Sequence, residues 1–576
     1  MNPETKQCVN CKQNFVIEPE DFAFYEKISA GWRMPAPTWC PDCRSRRRMQ
    51  WTNYRHWYPR ELDGKRVLSY FHPEAPVNVM SVKEWWSDSW SGLEYGREYD
   101  FSRPFFLQFI ELYREVPRPH MINDLESTRC DYCNDVGTSK NCYLSTTIIE
   151  SEEINYSTTV VASRELWDSF WVFKSELCYE CIDCYSSRGV MWGQNVDSCL
   201  DSMLLFDCKN VSNCIACVGM RNAQYSIFNE PVGKQAYEEF LSTLIAGGYD
   251  AWLKLKERFE AFKLTRPHRY AQIHHSVNCT GDQIRGGKNC KQCFDVSQEL
   301  EDLKFVTYAG LGIKDSYDCY NAGSIANTLY EGNLVGSDSS RLFFCNNVMK
   351  GCMNIYYSDN CVGSSNLFGC VGLKKNSYCI LNRQYSKQEY EELVEKIKQH
   401  MNDMPYTDAK GRVYKYGEFF PPELSPFAYN ETIANEHFPL SKDEAQEQGY
   451  KWRDQEKRSY QITLRANDLP QDIRELSDNI TDEIIECEDA SQSVCGCTTA
   501  FRILEKDLEF YRRFNIPLPR LCPNCRYKKR FLRRNPLKLW HRKCMNQGCT
   551  NEFETSYSPD RPEIVYCEKC YQQEVV

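Results

Sequence analysis

One ten-residue pattern stands near both ends of this 576-residue chain, and it restricts the fold more than anything between. Pro35-Ala-Pro-Thr-Trp-Cys40-Pro-Asp-Cys43-Arg44 reads P-x-P-x-x-C-P-x-C-R, and Pro517-Leu-Pro-Arg-Leu-Cys522-Pro-Asn-Cys525-Arg526 repeats it. The match extends outward: Phe15-Val-Ile with Asp21-Phe-Ala-Phe-Tyr25 parallels Phe501-Arg-Ile with Asp507-Leu-Glu-Phe-Tyr511. Each of these segments begins four residues after a cysteine. Two short loops carrying two thiolates each can converge on one tetrahedral ion, which is zinc-ribbon spacing. Cys8, Cys11, Cys40 and Cys43 make one such set. Cys544, Cys549, Cys567 and Cys570 make another. For Cys522 and Cys525 the partner loop is Cys495-Gly-Cys497, one residue tighter than C-x-x-C, with Cys487 as the alternative to Cys495. The expectation is three zinc ions per chain, held structurally, since no three-ligand set with an open position is apparent.

The start, MNPETKQCVN, lacks a basic-then-apolar leader, and no apolar run reaches membrane-spanning length. A cytoplasmic, reducing location follows as the expectation, with the 32 cysteines as ligands or buried thiols. An exported, disulfide-bonded protein is the competing reading, disfavoured by the many C-x-x-C pairs.

Residues 1–53 read as a zinc ribbon, and 486–535 and 536–576 as two more. In 54–125 the landmark Phe71-His-Pro73 parallels Tyr557-Ser-Pro559, but Tyr58, Asp63, Ser81 and Glu84 fall where cysteines are expected. This segment reads as a metal-free ribbon copy held by apolar packing around Trp57, Trp85, Trp86 and Trp90, with a helix over Phe105–Val116. Two tracts, 126–232 and 271–385, are rich in Cys, Asn, Ser and Gly. Cys199, Cys208 and Cys217 are spaced by nine, as are Cys352, Cys361, Cys370 and Cys379. A short fixed period is the mark of a β-solenoid, here read as nine-residue units, two to a coil. The tracts read as duplicates 153 positions apart, because Tyr225-Ser-Ile-Phe-Asn229 recurs as Tyr378-Cys-Ile-Leu-Asn382. Helices that follow, within 233–270 and 386–402, read as end caps, the second opened by a Ser386/Glu389 capping box. Residues 403–485 form a connector with a second capping box at Ser441/Glu444 and a weakly amphipathic stretch from Ile473 to Ile485. The fold class is therefore mainly β: ribbon modules at both termini flanking two duplicated, helix-capped solenoid tracts.

The net charge of −10 is unevenly spread. Phe510 to Asn551 carries twelve Lys/Arg and no acid, and Arg33 to Arg60 carries seven Arg against Asp42 alone. Arg46, Arg47, Arg48, Lys528, Lys529, Arg530, Arg533 and Arg534 are the candidate phosphate-binding residues, for RNA or DNA. A protein partner explains the same runs equally well, and part of the charge offsets the −2 of each Zn(Cys)4 site. Catalytic residues are not readable from the sequence. The alternative to a non-enzymatic scaffold is an enzyme with its site on a solenoid face or at the junction of the tracts. The solenoid cysteines read as an interior thiol ladder, with extra metal or redox chemistry as alternatives. Cys178-x2-Cys181-x2-Cys184 begins like an iron–sulfur run, but Arg188 stands at the fourth position.

These residues resemble a family of uncharacterised multi-zinc-ribbon proteins from uncultivated bacterial lineages. The resemblance rests on the P-x-P-x-x-C-P-x-C-R ribbons, the Asn382-Arg-Gln-Tyr-Ser386 ending and the Pro559 to Cys570 tail, and it covers nearly the whole chain. It implies metal binding and no assigned activity. Members are sometimes labelled CoA-transferase-like, and no motif here supports that label.

Overall fold

From Asp135 to Phe228 every third residue has a positive φ, between 41° and 69°. Two extended residues followed by one left-handed residue make a triplet. The computed structural model describes residues 2–29, 33–454, 460–490 and 496–575. In it, strand follows strand in parallel, with partners twelve residues apart: Val160 pairs with Val172, and Leu166 with Cys178. Ten strands form one sheet of the first tract and three form another. The second tract is a ten-stranded sheet whose partners lie mostly thirteen apart, as in Leu329–Leu342, then twelve apart in Ile355–Leu367 and Leu367–Cys379. The expected nine-residue unit and eighteen-residue coil are therefore wrong. Nine is three triplets, three quarters of a twelve-residue coil, so cysteines at that spacing all point inward but from different sides, without stacking on one another.

The triplet decides what is buried. In the first tract the first residue of each triplet points inward, giving a dry row that includes Val136, Ile148, Ile154, Val160, Leu166, Val172, Val196 and Leu205. Between them stand buried serines, which are satisfied in place. Ser157 Oγ donates to Asn155 O at 2.9 Å and accepts the N–H of Ser169 at 2.9 Å, twelve residues on. Inward cysteines use the same position, as when Cys199 Sγ donates to Asp197 O at 3.4 Å. The left-handed position costs ordinary L residues roughly 1–2 kcal/mol each, and Asn and Asp least. That explains the richness in Asn210, Asn213, Asn222, Asp168, Asp183 and Asp207. One face of the first tract is solvated and charged with alternating sign, Lys140, Glu152, Arg164, Glu176 and Arg188 being successive neighbours.

Both tracts end alike. The last strand turns antiparallel (Glu230–Pro231 and Arg383–Gln384), after an asparagine that bonds the backbone of the previous repeat. Asn229 accepts from Val218 N at 2.8 Å and donates to Val218 O at 2.8 Å. Asn382 does the same to Val371, at 2.8 and 2.7 Å. Helices Gly233–Ala246 and Gly248–Leu264 follow the first tract, and Lys387–Asp403 the second, where the Ser386/Glu389 capping box forms. The Ser441/Glu444 box forms as well, opening helix Lys442–Glu447. Ile473 to Ile485 is not an amphipathic helix; it holds only short 3-10 turns at Ile473–Glu475 and Asp478–Asp482.

Residues 54–125 share two local features with the C-terminal module. Val79–Met80 pairs in parallel with Arg118–Pro119, as Val565–Tyr566 does with His268–Arg269. Ser81 caps the helix Val82–Trp86 where Cys567 caps Glu568–Glu574. Trp85 is fully buried, while Trp57, Trp86 and Trp90 are half-buried, and helix Phe105–Glu115 packs Phe105, Phe109 and Leu112 into the core beside the second tract. No helix among the described residues is long and apolar enough to cross a membrane.

Candidate metal centres

Among the described residues, three groups of four cysteines bring all their Sγ atoms within 4.8 Å of one another: Cys8, Cys11, Cys40 and Cys43; Cys487, Cys497, Cys522 and Cys525; Cys544, Cys549, Cys567 and Cys570. One local geometry recurs in all three. The third cysteine is the N-cap of a helix, as Cys40 is for Pro41–Met49, Cys522 for Pro523–Leu532 and Cys567 for Glu568–Glu574. Its backbone N–H donates to the Sγ of the first cysteine, at 3.2, 3.2 and 3.3 Å. Its own Sγ lies 3.7, 3.8 and 3.9 Å from the second. Four thiolates at about 2.3 Å from a zinc ion stand about 3.8 Å apart along a tetrahedral edge, so the donor sets fit zinc. Helix N-termini and N–H···S bonds favour the thiolate form the ion needs. The thiols within a set differ: neighbouring thiols pull Cys8 and Cys522 far down, while Cys43 and Cys8 push Cys40 far up and burial pushes Cys497 up to about 12.

The second tetrad differs from the expected set. Cys487 completes it, and Cys495, the expected ligand, lies outside the described residues. Cys487 plays the part of Cys8, and Cys497 that of Cys11. Nine residues separate Cys487 from Cys497, where two separate Cys8 from Cys11. The inserted loop hid the pairing; the surviving signal was the four-residue step from Cys497 to Phe501. No family model, curated protein or solved structure matches this chain.

The basic runs beside the tetrads are largely docking residues. Arg44, the arginine of C-P-x-C-R, holds both oxygens of Asp318 at 2.9 and 2.8 Å and donates to Trp39 O at 2.7 Å. Arg526 meets Asp168 at 3.0 Å and donates to Leu521 O at 2.9 Å. Burial works against the charge of each arginine, but Asp318 and Asp168 outweigh it and drive both pKa values well up. Each aspartate follows an aromatic residue that a module stacks upon. Tyr317 lies 3.8 Å from Phe24, and Trp167 lies 4.1 Å from Phe510, nearly parallel in both cases. The aromatic residue lies on a strand, and the left-handed aspartate after it points at the arginine. The docking is crosswise: the N-terminal module sits on the second tract and the C-terminal module on the first.

The eight candidate phosphate-binding residues divide accordingly. Arg47 and Arg48 are at most 1% exposed and pair with Glu418, Glu331 and Asp318. Arg530 is buried on Asp168, and Arg534 is clasped between Asp183 of the first tract and Asp295 of the second. These four are not a solvent-facing surface, which corrects the expectation: desolvated arginines with carboxylate partners have no free face for phosphate. Arg46 is half-buried and donates to Gln448 at 2.9 Å. Lys528 and Arg533 are half-buried, and Lys529 is exposed, 3.2 Å from Asp489.

A polar cavity lies where the tracts meet, lined by Asp183, Asn195, Asp282, Asp295, Arg534 and His268 among others. Its groups are engaged with one another. His268 uses Nδ1 towards Tyr557 at 3.3 Å and Nε2 towards Lys263 O at 3.1 Å, and burial pulls its pKa down to about 4.

Proposed function

We propose that this chain is a structural zinc protein, a pair of duplicated β-solenoids clamped by zinc-held modules. The observation that carries this reading is the buried Arg44–Asp318 and Arg526–Asp168 contact of each module with a tract distant in sequence. The triplet backbone, the parallel ladders and the matching bonds of Asn229 and Asn382 support the solenoid and its duplication. Zinc supplies the folding free energy of the small modules, on the order of 10 kcal/mol. The modules in turn cover tract faces that would otherwise expose Trp167 and Tyr317. The test is hydrogen exchange on the full chain before and after the metal is stripped with a chelator. Protection should fall in the helices Pro19–Ile28 and Glu505–Phe514 and on the tract faces beneath them, while the inward rows stay protected. Unchanged protection in metal-free protein would overturn the clamp.

A partner bound through the modules, nucleic acid or protein, would meet Lys528, Lys529 and Arg533 rather than the buried arginines. A gel-shift series at two salt concentrations with Lys528 and Lys529 changed to Ala tests it, since each lost phosphate contact flattens the salt dependence. The cavity at the tract junction holds about 40 Å³, room for bound water and not for a small-molecule substrate, so it lends no support to a site at that junction.

A further inference from the structure

Three inward cysteines stand apart from the others. Cys178, Cys181 and Cys184 begin consecutive triplets of one twelve-residue repeat, and their Sγ atoms lie within 4.8 Å of one another. All three are fully buried. From Ile148 to Ser175 the inward row alternates aliphatic residues with serine, and this repeat breaks the alternation with three thiols in succession. The fourth inward residue, Ser187, is already engaged: its hydroxyl donates to Tyr185 O at 2.8 Å and accepts the N–H of Cys199 at 3.0 Å. Ser175 Oγ, 3.8 Å from Cys184 Sγ, is engaged in the same way: it donates to Phe173 O at 2.9 Å and accepts the N–H of Ser187 at 3.1 Å, which leaves three sulfurs as the uncommitted donors.

We propose that Cys178, Cys181 and Cys184 hold one soft, thiophilic metal ion in a three-coordinate site inside the first tract, additional to the three tetrads. Thiolate ligands select soft ions such as copper(I) and zinc. A set of three without a fourth donor suits copper(I) better than zinc, which takes four ligands in structural sites. On binding, each thiol loses its proton and forms one metal–sulfur bond, so three protons leave with the ion's entry. The proton acceptors given up are not stranded. Cys178 Sγ donates to Glu176 O at 3.4 Å and Cys181 Sγ to Val190 O at 3.2 Å. Those carbonyls also accept from Gly189 N and Tyr179 N, each at 3.0 Å. The row is closed, so the ion enters while the tract folds. Other inward thiols, such as Cys199 and Cys208, lack two sulfur neighbours at this range and remain thiols.

The experiment is metal analysis of the full chain, expressed with zinc and copper supplied and purified anaerobically without chelator. Four ions per chain are expected in the wild type, three in Cys181→Ala and four in the control Cys361→Ala. Three ions in the wild type would overturn the site, and so would a fourth ion that survives Cys181→Ala. If Cys181→Ala does not fold, Cys184→Ser supplies the same comparison, because Ser175 and Ser187 show that an inward hydroxyl is accommodated. X-ray absorption on the wild type identifies the ion at the copper or zinc edge. It should show a three-sulfur shell at one metal; four-sulfur shells alone would overturn the site even where no variant folds.

Discussion

Asp168 and Asp318 are single residues on which whole modules rest. Each was unremarkable in the sequence, one acid among 80, because nothing local marks an aspartate whose arginine arrives from hundreds of residues away. Asp168→Asn keeps the shape and removes the charge, leaving Arg526 and Arg530 buried without compensation. Breaking a buried pair in this way costs about 3–5 kcal/mol. Urea unfolding should show that loss, while Lys529→Ala on the exposed side of the same helix stays within about 0.5 kcal/mol. Equal, small effects of both would mean that the pair does not hold the module. His437 offers a pH test. It lies against Phe531 and Tyr308, and burial, helped by Arg534 and Lys528, pulls its pKa down to about 3. The unfolded chain takes up that proton near pH 6.5 and the folded chain only near pH 3. The unfolded state thus binds more protons in that window, and stability falls as the pH drops through it. His437→Gln should flatten the fall, read as a smaller difference between the urea midpoints at pH 7 and pH 5 than in the wild type. An identical difference in both proteins would show that His437 ionises freely in the folded state.

At the level of elements, the ligand loops were legible and the repeat was half legible. Metal geometry forces thiols into pairs at short spacing, so ten of the twelve tetrad cysteines could be assigned from pairing alone. Cys497 needed its step to Phe501, and Cys487 was obscured by the inserted loop. The true period is three, and only inward positions are constrained. Val, Ile, Leu, Ser, Cys and Gly all serve there, so residue identity repeats weakly, and cysteine at every third triplet looked like a period of nine. The left-handed position is likewise filled by anything from Asn210 to Trp171, because the parallel ladder imposes the backbone that the side chain does not prefer. The same rule makes Cys361 replaceable. Its Sγ donates to Asp359 O at 3.5 Å, as neighbouring Ser358 and Ser364 donate to the carbonyls two residues before them, each at 2.9 Å. Cys361→Ser should therefore cost less than about 1 kcal/mol, since the new hydroxyl finds the partner that a buried polar group requires. Cys361→Leu overfills the row and should cost about 1–3 kcal/mol. Thermal unfolding of the two variants checks the order, and a serine variant as unstable as the leucine variant would break the equivalence of inward Ser and Cys.

Across the whole molecule, chain order and spatial order cross. The N-terminal module covers the second tract, the C-terminal module covers the first, and Arg534 ties the two tracts together through Asp183 and Asp295. Sequence could not supply that arrangement, because nothing local assigns a module to a tract and only the placement of acids chooses. Crosswise docking makes local damage act at a distance. Replacing Cys522 and Cys525 together with Ser leaves the second tetrad two thiols, too few to hold zinc against solvent. The module then loses metal-derived folding energy of about 10 kcal/mol. Helices Glu505–Phe514 and Pro523–Leu532 should come away from Trp167 and Asp168, so limited proteolysis should cut within 496–535 and hydrogen exchange should rise on the first tract's covered face. The second tract and the N-terminal module should keep their protection, since their contact runs through Arg44, Asp318 and Tyr317. Metal analysis should show one zinc ion fewer, with the third tetrad intact. Exposure of the second tract instead would mean the modules are not independent clamps. A compact, uncut 496–535 segment would mean that its apolar contacts, led by Phe510 on Trp167, hold it without the ion.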